Sequence, residues 1–331
     1  VKLHKMSCQQ GGKCMGPSPA NDCNPWYWIL GMICMPVAIP FILFDVWTRN
    51  AIAKERKRLP GKVVLITGAS SGLGEALAHT FYKAGCKVIL AARRVEELER
   101  VKKDLLSVEV VGPAYPPTVL PLDLAELNAI PAVAAKAVNI YNGIDILINN
   151  GGISVRADAL TTALDVDLKV MTVNYFGSVA LTKAILPSMV KRQKGHICFI
   201  SSVQGKFALP FRSAYSASKH AIQAFSDSLR AEVASKGLKV TCVSPGYIRT
   251  QLSVNALTST GQQHGKMDAT TAKGMRADVC AQRILEALLN NEKDVLVCDL
   301  QARLGYWLRF LSPTLYYRVM EKRALKLQND N

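Results

Sequence analysis

Residues 63–74 read Val63-Val64-Leu65-Ile66-Thr67-Gly68-Ala69-Ser70-Ser71-Gly72-Leu73-Gly74, and this dozen decides the fold. An unbroken apolar, β-branched run is the pattern of a strand covered on both faces, as in a parallel sheet. It opens into glycines at 68, 72 and 74. Such glycines let the backbone turn tightly and approach a pyrophosphate, while the next helix points its free N–H groups at the negative charge. Outward from here, strand-like runs recur at 87–91, 119–122, 144–149, 196–201, 239–243 and 294–298, with amphipathic stretches at 75–83, 95–106, 164–190 and 214–234. The alternation predicts an α/β chain: a Rossmann-like, doubly wound parallel sheet in a single domain, with ligands at the carboxyl ends of its strands.

The chemistry is written further on. Tyr215 and Lys219 lie four apart in Tyr-Ser-Ala-Ser-Lys, and Ser202 stands thirteen residues before the tyrosine. A helix places residues 215 and 219 on one face, one turn apart. A free phenol, with a pKa of ~10, is a poor proton carrier at neutral pH. A neighbouring ammonium lowers it. Tyr215 is therefore expected to be the acid in reduction and the base in oxidation, with Ser202 a second donor to the same substrate oxygen. The five histidines show no metal-ligand spacing, and no metal is expected, because hydride chemistry belongs to a cofactor. The choice of cofactor falls on Leu90-Ala91-Ala92-Arg93-Arg94 at the end of the second strand. A carboxylate there would repel a ribose 2′-phosphate, whereas a guanidinium pairs with one. The sequence favours NADP(H), with NAD(H) the alternative.

The set Thr67-Gly-x-x-x-Gly72-x-Gly74, Asn149-Asn150-x-Gly152, Asn174, Ser202, Tyr215-x-x-x-Lys219 and Pro245-Gly246 resembles the short-chain dehydrogenase/reductase family over about residues 60–300. The resemblance implies a catalytic tetrad of Asn174, Ser202, Tyr215 and Lys219. In it Asn174 keeps a water on the proton path and Lys219 also bonds the nicotinamide ribose. It implies a cofactor held by Gly68, Ser70, Ser71, Gly72, Leu73, Gly74, Arg93, Arg94, Asp123, Asn149, Gly151, Tyr215, Lys219, Pro245, Gly246, Ile248 and Thr250. Ser202 and Tyr215 also meet the substrate. Residues 251–274 correspond to a substrate lid, expected to be a mobile loop, and helices 164–190 and 214–234 to the faces of a homodimer. One departure is visible: Gly151 stands where the family has alanine, which is expected to loosen that turn.

The chain of 331 residues carries a net charge of +16, 49% hydrophobic residues and nine scattered cysteines without a Cys-x-x-Cys pair. That usage predicts a reducing compartment. The basic residues form no stripe with interleaved aromatics, so nucleic acid is not an expected partner. The charge reads instead as a surface beside anionic head groups, or as a preference for an anionic cofactor or substrate. Trp26 to Phe44 is nineteen residues without a charge. At ~1.5 Å per residue this matches a ~30 Å hydrocarbon core. The expected organisation is a tail (1–25), a transmembrane anchor helix (26–47), a basic linker (48–59), the catalytic domain (60–300) and an amphipathic extension (301–331). Arg49, Lys54, Arg56, Lys57 and Arg58 follow the span, which predicts a cytosolic catalytic part. A reductase on an endoplasmic reticulum or peroxisomal membrane, acting on a lipophilic ketone or secondary alcohol, is the leading expectation. A steroid or retinoid dehydrogenase and a catalytically silent nucleotide-binding interaction protein are the alternatives.

Overall fold

The computed structural model describes residues 52–110 and 113–329. The expected tail, the anchor at 26–47 and the start of the linker lie outside the described residues. Among those described, no helix is long and apolar enough to cross a membrane.

Seven strands form one sheet: β1 (Val63–Thr67), β2 (Lys87–Ala92), β3 (Thr118–Pro121), β4 (Ile146–Asn149), β5 (Gly195–Ile200), β6 (Leu238–Pro245) and β7 (Asp294–Val297). Their order is β3-β2-β1-β4-β5-β6-β7, and every pairing is parallel. The chain walks outward from β1 to β3, then crosses back and walks the other way from β4. The crevice between β1 and β4 is where such a fold binds ligands.

The helices are α1 (Gly72–Lys83), α2 (Val95–Leu106), α3 (Ile130–Ile140), α4 (Leu164–Met171), α5 (Gly177–Lys191), α6 (Ser213–Val233), α7 (Ala269–Ala272), α8 (Ala277–Leu289), α9 (Leu300–Leu311) and α10 (Pro313–Asn329). All five residues of β1 are buried. Because side chains alternate along a strand, Val64 and Ile66 enter one core with Leu77 and Phe81 of α1, Leu98 of α2 and Ile284 of α8. Val63 and Leu65 enter the other, with Ile130 of α3, Leu181 of α5 and Ile222 of α6. Each Leu or Ile so buried contributes roughly 1.5–3 kcal/mol. A strand with two covered faces has no polar side, which is why its sequence reads as one apolar run.

The single helix expected over 164–190 is divided. Between α4 and α5 lies a π-helical turn, Thr172–Phe176, and Asn174 sits inside it. Such turns insert an extra residue into the ladder and frequently occur at functional sites. The extension becomes a hairpin of α9 and α10. Its inner side anchors on Tyr316, which packs with Val203, Phe207 and Leu209 and donates its hydroxyl hydrogen to the Ala208 carbonyl at 2.6 Å.

Candidate active site

The cleft opens where β1 hands over to α1. Gly68 and Gly72 take φ of +66° and +61°, a region that favours glycine. The loop is also too tight for side chains: a Cβ on Gly74 would lie 2.1 Å from the Gly68 carbonyl oxygen, and one on Gly68 2.9 Å from Gly151 Cα. Ser71, the residue before α1, makes no side-chain cap to that helix. The first-turn N–H groups of α1 are thus left for an anion.

A knot of hydrogen bonds joins this loop to β4. The Thr67 hydroxyl oxygen accepts from the backbone N–H groups of Asn150 and Gly151, each at 2.9 Å, and the Asn150 side chain donates to the Thr67 carbonyl at 2.9 Å. Asn150, not Asn149, is therefore the asparagine at the cleft. Asn149 does not line it; its amide donates to Thr182 Oγ1 at 3.0 Å on the α5 side. Gly151 also differs from expectation. A Cβ there would meet Leu124 Cδ1 at 2.7 Å, so the volume of the missing methyl is filled rather than slack.

On the β2 side, Arg93 and Arg94 line the cleft, and Arg94 Nη2 donates to the Ser70 and Ser71 hydroxyls at 3.2 and 3.1 Å. Asp123 is the one carboxylate among the lining residues, with its Oδ1 accepting from Ala125 N–H at 2.9 Å. Leu73, Pro245, Gly246, Ile248 and Thr250 line it too, and Thr250 faces Gly72 so closely that a Cβ on Gly72 would lie 3.1 Å from Thr250 Cβ. The residues present therefore suit a dinucleotide: a glycine cradle, an uncapped helix start and basic groups beyond β2.

The catalytic candidates meet on the opposite wall. Ser202 follows β5 and starts a short 3₁₀ turn, Val203–Gly205, its hydroxyl accepting from Gln204 N–H at 3.1 Å. Tyr215 lies in the first turn of α6, buried, on the wall that Ser202 also lines. Lys219, one turn on and also buried, donates to the Ile200 carbonyl at 2.8 Å and stands 5.7 Å from the Tyr215 ring centre. Gly205 permits this approach, since a Cβ there would lie 2.6 Å from the Lys219 carbonyl oxygen. Asn174, on the π turn, is fully buried and does not line the cleft; it backs this wall. Its Oδ1 accepts from Ile153 N–H at 2.8 Å, and its Nδ2 donates to the Ile153 carbonyl and to Ser218 Oγ, both at 2.9 Å. The whole cleft encloses about 480 Å³.

The electrostatics depart from the sequence expectation. Burial pushes the Tyr215 phenol above its ordinary value, opposed by the Ser202 hydroxyl and by the charges of Arg156 and Arg212. Burial also brings the Lys219 ammonium down to about 8. Two arginines that no local pattern singled out thus act on the tyrosine. Arg156 lies beyond β4 and Arg212 just before α6, and both line the cleft, as does Tyr247. The stretch 251–274 is no free loop: Leu257 bridges to Val155 and to Gln263, and α7 closes the segment.

Comparison with known proteins agrees with this architecture. The family model described as short chain dehydrogenase matches residues 62–260. A "Dehydrogenase/reductase SDR family protein 7-like" of Drosophila melanogaster is 66% identical over 324 residues, 98% of each chain. The "Dehydrogenase/reductase SDR family member 7B" of Rattus norvegicus is 48% identical over 287 residues, 86% of this chain and 87% of the rat protein. A Burkholderia cenocepacia short chain dehydrogenase solved with NADP shares the fold, at 23% identity and a TM-score of 0.64 over 79% of this chain and 98% of that one. One from Burkholderia phymatum, solved with NAD, shares it at 21% identity and a TM-score of 0.67 over 78% and 95%. From the glycine loop to the Tyr215–Lys219 pair, and across most of its length, the chain belongs to the short-chain dehydrogenase/reductase family of oxidoreductases.

Proposed function

We propose that the chain is a membrane-anchored, NADP(H)-dependent oxidoreductase that interconverts a ketone and a secondary alcohol on a lipophilic substrate, with Tyr215 as the acid–base group. The observation that carries this is the meeting of Tyr215, Ser202 and Lys219 on one wall of the cleft whose other wall is the glycine loop. In reduction the Tyr215 hydroxyl hands its proton to the substrate oxygen while the Ser202 hydroxyl donates to that same oxygen, so the developing charge meets two donors. The glycine loop would hold the nicotinamide cofactor, whose chemistry when bound is the transfer of a hydride. A phenol raised by burial stays protonated at neutral pH, which suits the reductive direction. With a pKa of about 8, Lys219 can lose and regain a proton near neutrality and so resupply the tyrosine. Asn174 braces the wall by tying the Ile153 backbone to Ser218 on α6.

NADP(H) is favoured over NAD(H) because Arg94, flanked by the Ser70 and Ser71 hydroxyls, can bind a 2′-phosphate, and because β2 ends in Ala92 rather than a carboxylate. The uncharged stretch from Trp26 to Phe44 supports a retained anchor. So does the outer face of the hairpin, where Leu304, Trp307 (56% exposed), Phe310 and Leu311 (79% exposed) stand among Arg303, Arg309, Arg318 and Lys322. Such a face suits a bilayer with anionic head groups. The basic linker favours a cytosolic catalytic domain on an endoplasmic reticulum or peroxisomal membrane. Leu164, Leu168 and Phe176, exposed along α4 and the π turn, are where a homodimer would bury apolar surface.

The test is oxidation of NADPH and of NADH by the detergent-solubilised protein, offered keto-lipids, steroids and retinal, with Tyr215→Phe as the control. Turnover on one class, abolished in the variant, is expected. Turnover that survives Tyr215→Phe, or tight NADPH binding with no turnover on any carbonyl, would refute the reading.

A further inference from the structure

A second cavity, of about 260 Å³, opens at the amino ends of the strands, the opposite edge of the sheet from the cofactor cleft. Lys62 and Asp145 immediately precede β1 and β4, and His196 and Lys239 are the second residues of β5 and β6. Ile146, His196 and Lys239 are partners in register, so they form one row on the face covered by α1 and α8. Phe81 of α1 and Leu285 and Leu288 of α8 line the apolar side of the cavity. The charges around it do not balance. Arg58, Lys62, Lys194 and Lys239 line it with only two acids, Glu55 and Asp145. Both acids are engaged. Glu55 pairs with Arg58 at 2.5 Å, and Asp145 meets Lys194 at 3.1 Å, Arg192 at 3.2 Å and the Val63 N–H at 3.0 Å. Lys62 and Lys239 pair with no acid among the described residues, and both lie near enough to act on the His196 imidazole.

The tautomer of His196 follows from its neighbour. Thr241 has one hydroxyl hydrogen and gives it to the Glu292 carbonyl at 2.6 Å, so toward His196 Nε2, at 2.9 Å, it can only accept. The proton therefore sits on Nε2, and Nδ1 keeps a bare lone pair. Burial and the two lysines bring the imidazole down to about 3, so the ring is neutral at any physiological pH. His196 lines the cavity and is 8% exposed, and no described residue donates to its Nδ1. Two unpaired ammoniums beside a buried acceptor suit a ligand that is anionic and still carries a hydrogen. We infer that this cavity binds inorganic hydrogen phosphate, its oxygens on Lys62 and Lys239 and its P–OH donating to His196 Nδ1. The apolar side keeps the local dielectric low, which strengthens these contacts. A fully ionised anion of the same size offers Nδ1 no hydrogen and sets two lone pairs against each other. Sulfate is one such anion. A phosphomonoester is another, since its second pKa of about 6 leaves it no hydrogen above neutrality. The free ion is thereby told apart from a phosphate carried on a metabolite or a lipid head group.

Nitrogen NMR on the full-length, detergent-solubilised protein, isotopically labelled at histidine, tests this without any turnover. Saturation with NADP⁺ keeps added anions out of the cofactor's own phosphate positions. The His196 signal is assigned by its loss in His196→Gln or, should that variant not fold, by its through-space contact with Thr241. Inorganic phosphate at pH 7.5 should shift the Nδ1 resonance in a saturable way, because Nδ1 gains a donor. Sulfate and methyl phosphate should bind this site at least about tenfold more weakly. Lys62→Gln and Lys239→Gln should each weaken phosphate about tenfold while NADP⁺ affinity is unchanged, and Lys239→Arg should retain part of the binding. An Nδ1 resonance unmoved by phosphate overturns the site. So does an equal response to sulfate or methyl phosphate, or a phosphate affinity that both glutamine variants leave intact.

Discussion

Replacing Lys219 by methionine should flatten one stretch of the pH–stability profile. Burial brings the Lys219 ammonium to about 8, against an ordinary value of 10.5. Between those values the unfolded chain holds a proton that the native chain has lost, so stability rises with pH. At pH 7.5 both states are protonated and the effect is small. By pH 9.5 the wild type has gained about 2 kcal/mol from this group, at about 1.4 kcal/mol per pH unit across the window. Four buried thiols pull the other way. Burial pushes Cys86, Cys198, Cys242 and Cys280 up, so they ionise first in the unfolded chain and stability falls as pH passes their ordinary value. That loss is common to both proteins and cancels in their difference. The assay is urea denaturation of the detergent-solubilised, cofactor-free protein at pH 7.5 and 9.5. The stability difference, wild type minus Lys219→Met, should rise by about 2 kcal/mol between those pH values. Parallel profiles would mean that Lys219 does not titrate in this window, and the account of its burial would be wrong.

Three substitutions probe the cofactor wall. Gly74→Ala puts a methyl 2.1 Å from the Gly68 carbonyl oxygen and 2.7 Å from its carbon, backbone atoms that can move only by distorting the loop. A loss of about 1–3 kcal/mol, seen as a lower Tm, should accompany at least tenfold weaker NADPH binding by fluorescence titration; unchanged binding contradicts the cradle. Ala92→Asp places a carboxylate at the end of β2 and should shift the NADPH-to-NADH preference at least tenfold toward NADH, read as the ratio of kcat/KM values. Gly151→Ala restores a methyl whose closest neighbour, at 2.7 Å, is the end of the Leu124 side chain, with Thr67 Oγ1 next at 3.3 Å, so thermal melts should show a loss below about 1.5 kcal/mol.

The sheet was legible because burial on both faces leaves a strand no choice of residue type; 63–67 and 87–91 read as apolar runs and lie inside the sheet, each with a strand on either side. The pairing of Tyr215 with Lys219 was legible because helical spacing is local. Other features were not. Asn149 and Asn150 are neighbours in sequence but diverge at a strand end, one toward Thr182 and one toward Thr67, and no pattern decides which faces the cleft. Arg156 and Arg212 find Asp268 across 112 and 56 residues, a relation that only the folded chain expresses. The π turn at Asn174 is likewise silent, because no residue of Thr172–Phe176 signals an extra residue in the helical ladder. The charge state of Lys219 follows from how deeply it is buried, and burial is a property of the tertiary structure.

The placement of β1 between β2 and β4 has a consequence for biosynthesis. β2 lies 24 residues downstream of its partner positions in β1, but β4 lies 82 downstream, Val64 pairing with Ile146. At a synthesis rate of about 5–20 residues per second, the β4 side of β1 waits roughly 4–16 s after translation of β1 for its neighbour. During that interval a flat apolar edge stands open beside a glycine loop that has nothing to close against, and an open edge invites pairing with another chain. The crevice that later receives ligands is thus the last seam of the N-terminal half to be sewn. Slow decoding within residues 92–146 should lower the yield of folded protein more than slow decoding after β4 has emerged.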